Sequence, residues 1–354
     1  MSPLREFASS FRFSKPGTFL HSIDLDAKRA VLFKTNRELL SQASFVDGRS
    51  DISLEPPVSV RLAELMRAPE LELPRDRYIF NVAFCGSTSL ARSIDVPGRS
   101  LVLKEPKCLT DLAAWKTVSL RKGRPLDVLA PALRLARNAL RRPFVAGEAV
   151  TVKAACWVNG ILDEFVVRTD RLLPLFVTID RPGFLRAVLR GGPERMTHTA
   201  QLAWHMASGD ANREALLQSA TEASGDDLGR ATNLAMVAHH LQLESFKRAM
   251  QRGGWDDDRV VDFELISQQP SQAAMKACRA LDIGLHFEER EMSVEENGGK
   301  HSKQPQISFS AEKLKRVDRS ILALHAKPFD SALNWAENAL GTEIRLGSDG
   351  SRAA

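Results

Sequence analysis

Four consecutive residues, Cys85-Gly86-Ser87-Thr88, stand between an apolar run, Tyr78–Phe84 (YIFNVAF), and a stretch of helical composition that begins at Ser89 (SLARSI). A strand, a small-residue turn and a helix start together make a place for an anion. Glycine lets the backbone approach an oxyanion, the first helical N–H groups have no partner inside the helix, and the helix dipole favours negative charge. The hydroxyls of Ser87 and Thr88 add donors at the same place. A helix N-cap uses the same residue types, and the turn by itself does not separate the two uses. A second group with chemical potential follows in Ser100–Lys107 (SLVLKEPK), where a strand-like run ends on Lys104-Glu105. Lys104 and Glu105 are neighbours there, and alternation along a strand points their side chains to opposite faces.

The elements that must position these groups read as strands alternating with helices. Strand-like runs are expected at Tyr78–Phe84, Ser100–Leu103, Ala149–Lys153, Leu172–Ile179 and Val260–Leu265. Helical stretches are expected at Ser89–Asp95, Thr110–Arg121, Val128–Leu140, Asn159–Arg168 and Phe184–Leu189. Apolar strands bounded by helices imply βαβ crossovers and a mostly parallel sheet covered on both faces. Ligands of such sheets sit beyond the carboxyl ends of the strands, where the Cys85–Thr88 turn falls. Before this pattern, residues 1–75 read as a small extension. It comprises a hairpin of Phe19–Asp26 with Arg29–Lys34, a helix at Asn36–Ala43 and a second helix at Val58–Met66. Residues 76–345 form the main domain, with helical hairpins and no strand over Arg195–Gln251, and 346–354 read as a disordered tail.

Composition narrows the partners. The 354 residues carry 49 Lys+Arg against 44 Asp+Glu, a formal charge of +5, with 44% hydrophobic and 26% charged residues, the profile of a globular chain. A mildly basic surface suits an acidic ligand but is also an ordinary solvated face. No basic tract interleaved with aromatics suggests nucleic acid, and no apolar run has membrane length. The basic amphipathic stretch Val128–Arg142 reads as a helix packing its apolar face inward rather than lying on a membrane. Cys85, Cys108, Cys156 and Cys278 are scattered without CxxC spacing, which reads as buried thiols of a cytoplasmic protein. No HExxH or EF-hand spacing occurs, and His239-His240, as neighbours on a helix, face different ways, so no metal is expected. A Walker A loop is absent, and no lysine lies within Cys85–Leu90, which argues against ordinary ATP or GTP hydrolysis.

FCGSTSLAR followed by LVLKEP resembles the sulfotransferase family, in particular bacterial sulfotransferase-like proteins with a CxSTxLAR turn and an [RK]EP strand end. Four further segments fall in the family's order. Thr151–Phe165 is similar to its second Lys-ended strand and helix, and Leu175–Arg190 to the strand–RdP–helix segment that contacts the nucleotide's 3′-phosphate. Val260–Leu285 resembles the "yEdL…P…l…i…fLgl" segment, and Asn297–Leu314 the glycine- and lysine-bearing loop near that phosphate. The resemblance implies a P-loop NTPase-like α/β fold and 3′-phosphoadenylyl sulfate (PAPS) as sulfuryl donor to a small-molecule acceptor, without a metal. It implies that Cys85, Gly86, Ser87 and Thr88 cradle the phosphosulfate, that Arg181 reaches the 3′-phosphate helped by Lys300 or Lys303, and that Glu105, with Lys104 beside it, serves catalysis. Phe84 stands where the family has a lysine or arginine two residues before the turn glycine, so Arg92, Lys107 or Lys153 would have to supply that charge. Leu189 stands where a serine is expected, and the RDP order is Asp180-Arg181-Pro182 here. Phosphoryl transfer, or a non-catalytic nucleotide- or partner-binding member of the same fold, is compatible with the same residues, as is self-association.

Overall fold

The structure, a computed structural model, describes residues 16–67, 75–167, 171–294 apart from 287, 290 and 292, and 311–346. Lys300, Lys303 and the tail after residue 346 lie outside the described residues.

β1 (Thr18–Asp24) and β2 (Arg29–Lys34) form the expected hairpin. The helix that follows, α1 (Arg37–Gln42), is capped by Asn36, whose side chain accepts from Leu39 N. One expectation fails next. Val58–Met66 is not a single helix: Val58–Arg61 is β3, antiparallel to β2 with Leu32 opposite Val58, and only Leu62–Met66 is helical, as α2. Val58-Ser59-Val60 alternates with period two and carries β-branched residues, and the open edge of β2 supplies backbone partners, so the sheet takes the segment.

The main sheet is parallel throughout, with β4 (Asp76–Asn81) at its centre. β5 (Ser100–Lys104), β6 (Ala149–Lys153), β7 (Leu172–Thr178) and β8 (Val260–Asp262) complete the order β5-β6-β4-β7-β8. Every residue of β5 and β6 is buried, which is why their sequences, SLVLK and AVTVK, are mostly apolar before a terminal lysine. On one face Phe80 stacks on Phe176, Phe165 of α6 (Leu162–Val166) meets Tyr78 and Phe80 edge-on, and Phe246 of α10 (Asp227–Gly253) tilts against Phe176. The other face is covered by α3 (Ser87–Ser93) and α12 (Pro270–Ala280). This is a P-loop-like α/β arrangement. The chain leaves β4 on one side for α3 and β5, and β7 flanks β4 on the other, so the turn after β4 lies at the switch point of the sheet.

Several elements end earlier than composition suggests. β4 stops at Asn81 because Phe84 (φ +66°) and Gly86 (φ +78°) turn the backbone into the left-handed region. β8 stops at Asp262, whose carboxylate caps α11 (Phe263–Gln268) by accepting from Leu265 N. The stretch read as a helix over Asn159–Arg168 begins as a 3₁₀ turn at Cys156–Ile161 before α6. The helical region contains α8 (Gly192–Ala207), α9 (Ala211–Glu222) and α10, broken near Ser224 as its composition predicts. The amphipathic α5 (Leu129–Leu140) packs inward and buries one of its basic residues: Arg137 pairs with Asp76 at 2.5 Å.

The N-terminal sheet shares a continuous apolar core with the main sheet, Leu20, Leu32 and Val60 joining Leu103 and Leu112. Ile23 N donates to Asp111 of α4 (Lys107–Arg121) at 3.0 Å. Val46 N donates to Lys104 O at 2.8 Å, so the loop after α1 lies across the carboxyl end of β5.

Candidate active site

The Cys85–Thr88 turn is built from beneath by a buried amide network. Asn81, the last residue of β4, donates to Ala154 O at 2.7 Å and accepts from the Ser87 hydroxyl at 3.1 Å. Asn159 Nδ2 donates to Asn81 O at 3.0 Å, and the Gln242 amide oxygen accepts from Ala83 N at 3.2 Å. These bonds fix where the turn leaves the sheet. Ser87 therefore aims its hydroxyl inward at Asn81, while Thr88 is also buried at the start of α3. Gly86 is required twice over. Its φ is left-handed, and a Cβ there would stand 3.2 Å from Phe263 Cδ2 and 3.4 Å from Ile266 Cγ2. Burial pushes the Cys85 thiol up to about 11, so it is no nucleophile near neutrality.

Beside the turn, at the ends of the two neighbouring strands, three charged side chains meet. Glu105 Oε1 accepts from Lys153 Nζ at 2.5 Å, and Glu105 Oε2 from Arg49 Nη2 at 3.0 Å. Lys153 is 3% exposed, Glu105 19% and Arg49 54%, a gradient from interior to solvent. Lys104 and Lys153 are register partners in parallel strands. A regular strand would turn Glu105 away from both. Its left-handed backbone (φ +58°) breaks the alternation and brings the carboxylate to Lys153. Ala154, the residue after Lys153, accepts from Asn81 Nδ2 beneath the turn, so the end of β6 lies beside the turn's base.

The wall opposite is aromatic. The Phe84 ring, standing at the position expected to be cationic, packs against Phe184 and His198, and the Arg195 guanidinium lies over it at 4.7 Å. His198 Nε2 is 3.6 Å from Cys156 Sγ, and its ring meets Trp157 edge-on at 5.1 Å. Burial pushes the Cys156 thiol up to about 12, so it meets the imidazole as a thiol and not a thiolate.

The remaining expected site residues lie elsewhere. Lys104 points away, donating to Ser41 O at 2.7 Å and pairing with Asp95 at 3.5 Å, and burial lowers its pKa. Arg92 donates to Ser44 Oγ at 3.3 Å, joining α3 to the N-terminal loop. Lys107 pairs with Asp111 along α4. Arg181, first residue of α7 (Arg181–Arg190), holds the C-terminal segment: its guanidinium donates to Gly341 O at 3.1 and 3.2 Å and lies 3.5 Å from Glu337. Its backbone N–H donates to Glu343 at 2.8 Å, and burial raises the pKa of that carboxyl group. The structure thus brings together the turn, Glu105 and Lys153, and commits Lys104 and Arg181 to other partners. Arg49 and Arg195 were not legible as site residues. An i, i+2 pairing in Asp47-Gly48-Arg49 signals only a local turn, and nothing in α8 marks Arg195. Among the described residues no group of His, Cys, Asp and Glu is arranged to hold a metal ion, and no helix is long and apolar enough to cross a membrane.

The class these features define is a parallel α/β protein with a small-residue turn at its switch point and an ion-paired carboxylate beside it. No protein-family model matches the chain, and no curated protein matches it. Two solved structures are similar to it. One is the sulfotransferase domain from the curacin biosynthetic pathway, with 13% identity and a TM-score of 0.38 over 78% of this chain and 100% of that one. The other is a sulfotransferase from Alicyclobacillus acidocaldarius, with 14% identity and a TM-score of 0.36 over 77% of this chain and 98% of that one.

Proposed function

We propose that the protein is a sulfotransferase-like enzyme that moves a sulfuryl group from PAPS to the hydroxyl or amine of a small acceptor. The observation that carries this reading is the Lys153–Glu105 pair at the rim of the Cys85–Thr88 turn. A phosphosulfate is anionic, and the site offers a buried ammonium and the N–H groups of the first turn of α3. PAPS would supply the sulfuryl group. Sulfuryl transfer spreads negative charge over peripheral oxygens, so fixed donors matter more than covalent chemistry. Lys153 is fixed by its pairing and by the end of β6, and it holds that charge without reorganising. Glu105 takes the proton of the acceptor as the new bond to sulfur forms and the bond from sulfur to the phosphate oxygen breaks. Arg181 would meet a 3′-phosphate on giving up Glu337, whose side chain is 64% exposed. Lys300 and Lys303 are candidates for the same phosphate.

Phe84 in place of the expected cation favours a second reading, a non-catalytic nucleotide-binding member of the fold. Calorimetric titration with adenosine 3′,5′-bisphosphate, with ATP as control, separates the readings from a loss of binding altogether. Micromolar binding of the bisphosphate, weakened in Thr88→Ala and Arg181→Ala, supports the nucleotide site, and turnover of PAPS with an acceptor panel supports the enzyme. Binding of ATP alone redirects the reading to phosphoryl transfer.

A further inference from the structure

Resting on the proposed transfer at Glu105, we propose that Arg49 determines acceptor specificity, and that the acceptor carries an oxyanion, in the simplest case a carboxylate, near its reacting hydroxyl or amine. The geometry sets the direction. Lys153 and Arg49 hold the two different oxygens of Glu105, Lys153 on the buried side toward the turn and Arg49 on the solvent side. An acceptor whose hydroxyl reaches Glu105 from solvent therefore lies against Arg49.

Arg49 is preorganised for that contact. Asp47 accepts from Arg49 N at 3.1 Å and from its Nε at 2.7 Å, and the guanidinium carbon sits 3.9 Å over the Phe45 ring. The plane of the guanidinium is fixed while half of the side chain is exposed, so much of the ordering cost of binding is already met in the fold. Among the described residues Nη1 makes no hydrogen bond, so it can donate to an acceptor oxyanion while Nε and Nη2 hold Asp47 and Glu105. The loop does not need this cation as a tether. Val46 N to Lys104 O and Lys104 Nζ to Ser41 O already fasten it to β5.

Charge balance gives the same answer. Lys153 and Arg49 face Glu105 and Asp47, two cations against two carboxylates. When Glu105 takes the acceptor's proton, Arg49 loses one of its two counter-charges. An acceptor carboxylate restores it, and a neutral acceptor does not.

The test uses the full chain and matched compounds, 3-hydroxybenzoate with 3-hydroxybenzyl alcohol and 4-hydroxyphenylacetate with 2-(4-hydroxyphenyl)ethanol. Binding is followed by saturation-transfer NMR and calorimetry, with and without adenosine 3′,5′-bisphosphate. The expected result is that each acid binds at least about tenfold more tightly than its alcohol. Arg49→Gln abolishes that preference, Arg49→Lys keeps part of it, and Asp47→Asn, which unfixes the guanidinium, gives an intermediate loss. Bisphosphate affinity stays within about twofold of wild type in Arg49→Gln. Equal binding of acids and alcohols, an acid preference that survives Arg49→Gln, or no acid binding by the wild type overturns the proposal. The bisphosphate titration distinguishes the two failures. An Arg49-dependent acid preference without bisphosphate binding refutes the donor reading and keeps the role of Arg49; bisphosphate binding without acid preference does the reverse.

Discussion

The Lys153–Glu105 pair can be tested by stability without knowing the acceptor. Deleting one partner of a buried ion pair costs about 3–5 kcal/mol, because the other charge is left uncompensated. The two partners here differ in what they keep. Lys153→Met leaves Glu105 with Arg49 and partial solvent access, so its cost is expected near about 1–2 kcal/mol. Glu105→Gln leaves an ammonium that is 3% exposed facing a neutral amide, and its cost is expected at about 2–4 kcal/mol. The double variant removes both charges and strands neither, so its cost should fall below the sum of the singles by about 1–3 kcal/mol.

Urea unfolding of the four proteins, compared through midpoints at constant slope, measures this coupling directly. Additivity within about 0.5 kcal/mol would mean that the two groups do not interact in solution. An equal cost for the two single changes would mean that Arg49 gives Glu105 no support. Either result would remove the geometric basis of the proposed site. If turnover is found, Lys153→Met should lower it by about 10²–10³, the loss typical of removing one donor to developing charge.

Gly86→Ala should cost about 1–3 kcal/mol, from a left-handed φ of +78° and a Cβ set 3.2 Å from Phe263, and should weaken bisphosphate binding in calorimetry. Burial holds His239 at a pKa of about 4, so it stays neutral in the fold while the unfolded chain takes up a proton below the ordinary value of 6.5. The unfolded state then binds more protons between pH 6.5 and 4, and stability should fall across that window by up to about 3 kcal/mol, read from urea midpoints against pH. His239→Gln, which keeps a donor for Ile179 O, should flatten that fall. Arg181→Ala should free Gly341 O and Glu337 while the backbone N–H keeps its bond to Glu343, raise amide exchange in the segment after α13 (Ala311–Leu340), and cost about 1–3 kcal/mol.

What the sequence disclosed follows the range of the forces involved. The sheet was legible because β5 and β6 are buried on both faces and carry that fact as short, mostly apolar, β-branched or leucine-rich runs. Strand ends were overestimated where apolar composition outlasts the strand: Val82-Ala83-Phe84 continues the run, but backbone dihedrals at Phe84 and Gly86 end it. Val58-Ser59-Val60 was misread because the edge of β2, which takes it into a sheet, lies outside any local window. The turn was legible from neighbouring residues as either an anion site or a helix cap, and Glu105 came only from the family resemblance. Arg49 was not, since its partner is 56 positions away and its loop has no periodicity.

The meeting of Glu105 with Lys153 is a subtler case, because a correct local rule points the wrong way. Alternation assigns Glu105 to the face opposite Lys104, and Lys153 shares the register and face of Lys104. The contact exists because Glu105 adopts φ +58°, a conformation that costs a non-glycine residue about 1–3 kcal/mol. Two charge-assisted bonds to the carboxylate, and Glu105 N donating to Lys153 O at 2.7 Å, hold it there. Strain maintained at the carboxyl end of a parallel strand, beside a turn suited to an anion, fits the need to place a carboxylate more than the need to end a strand.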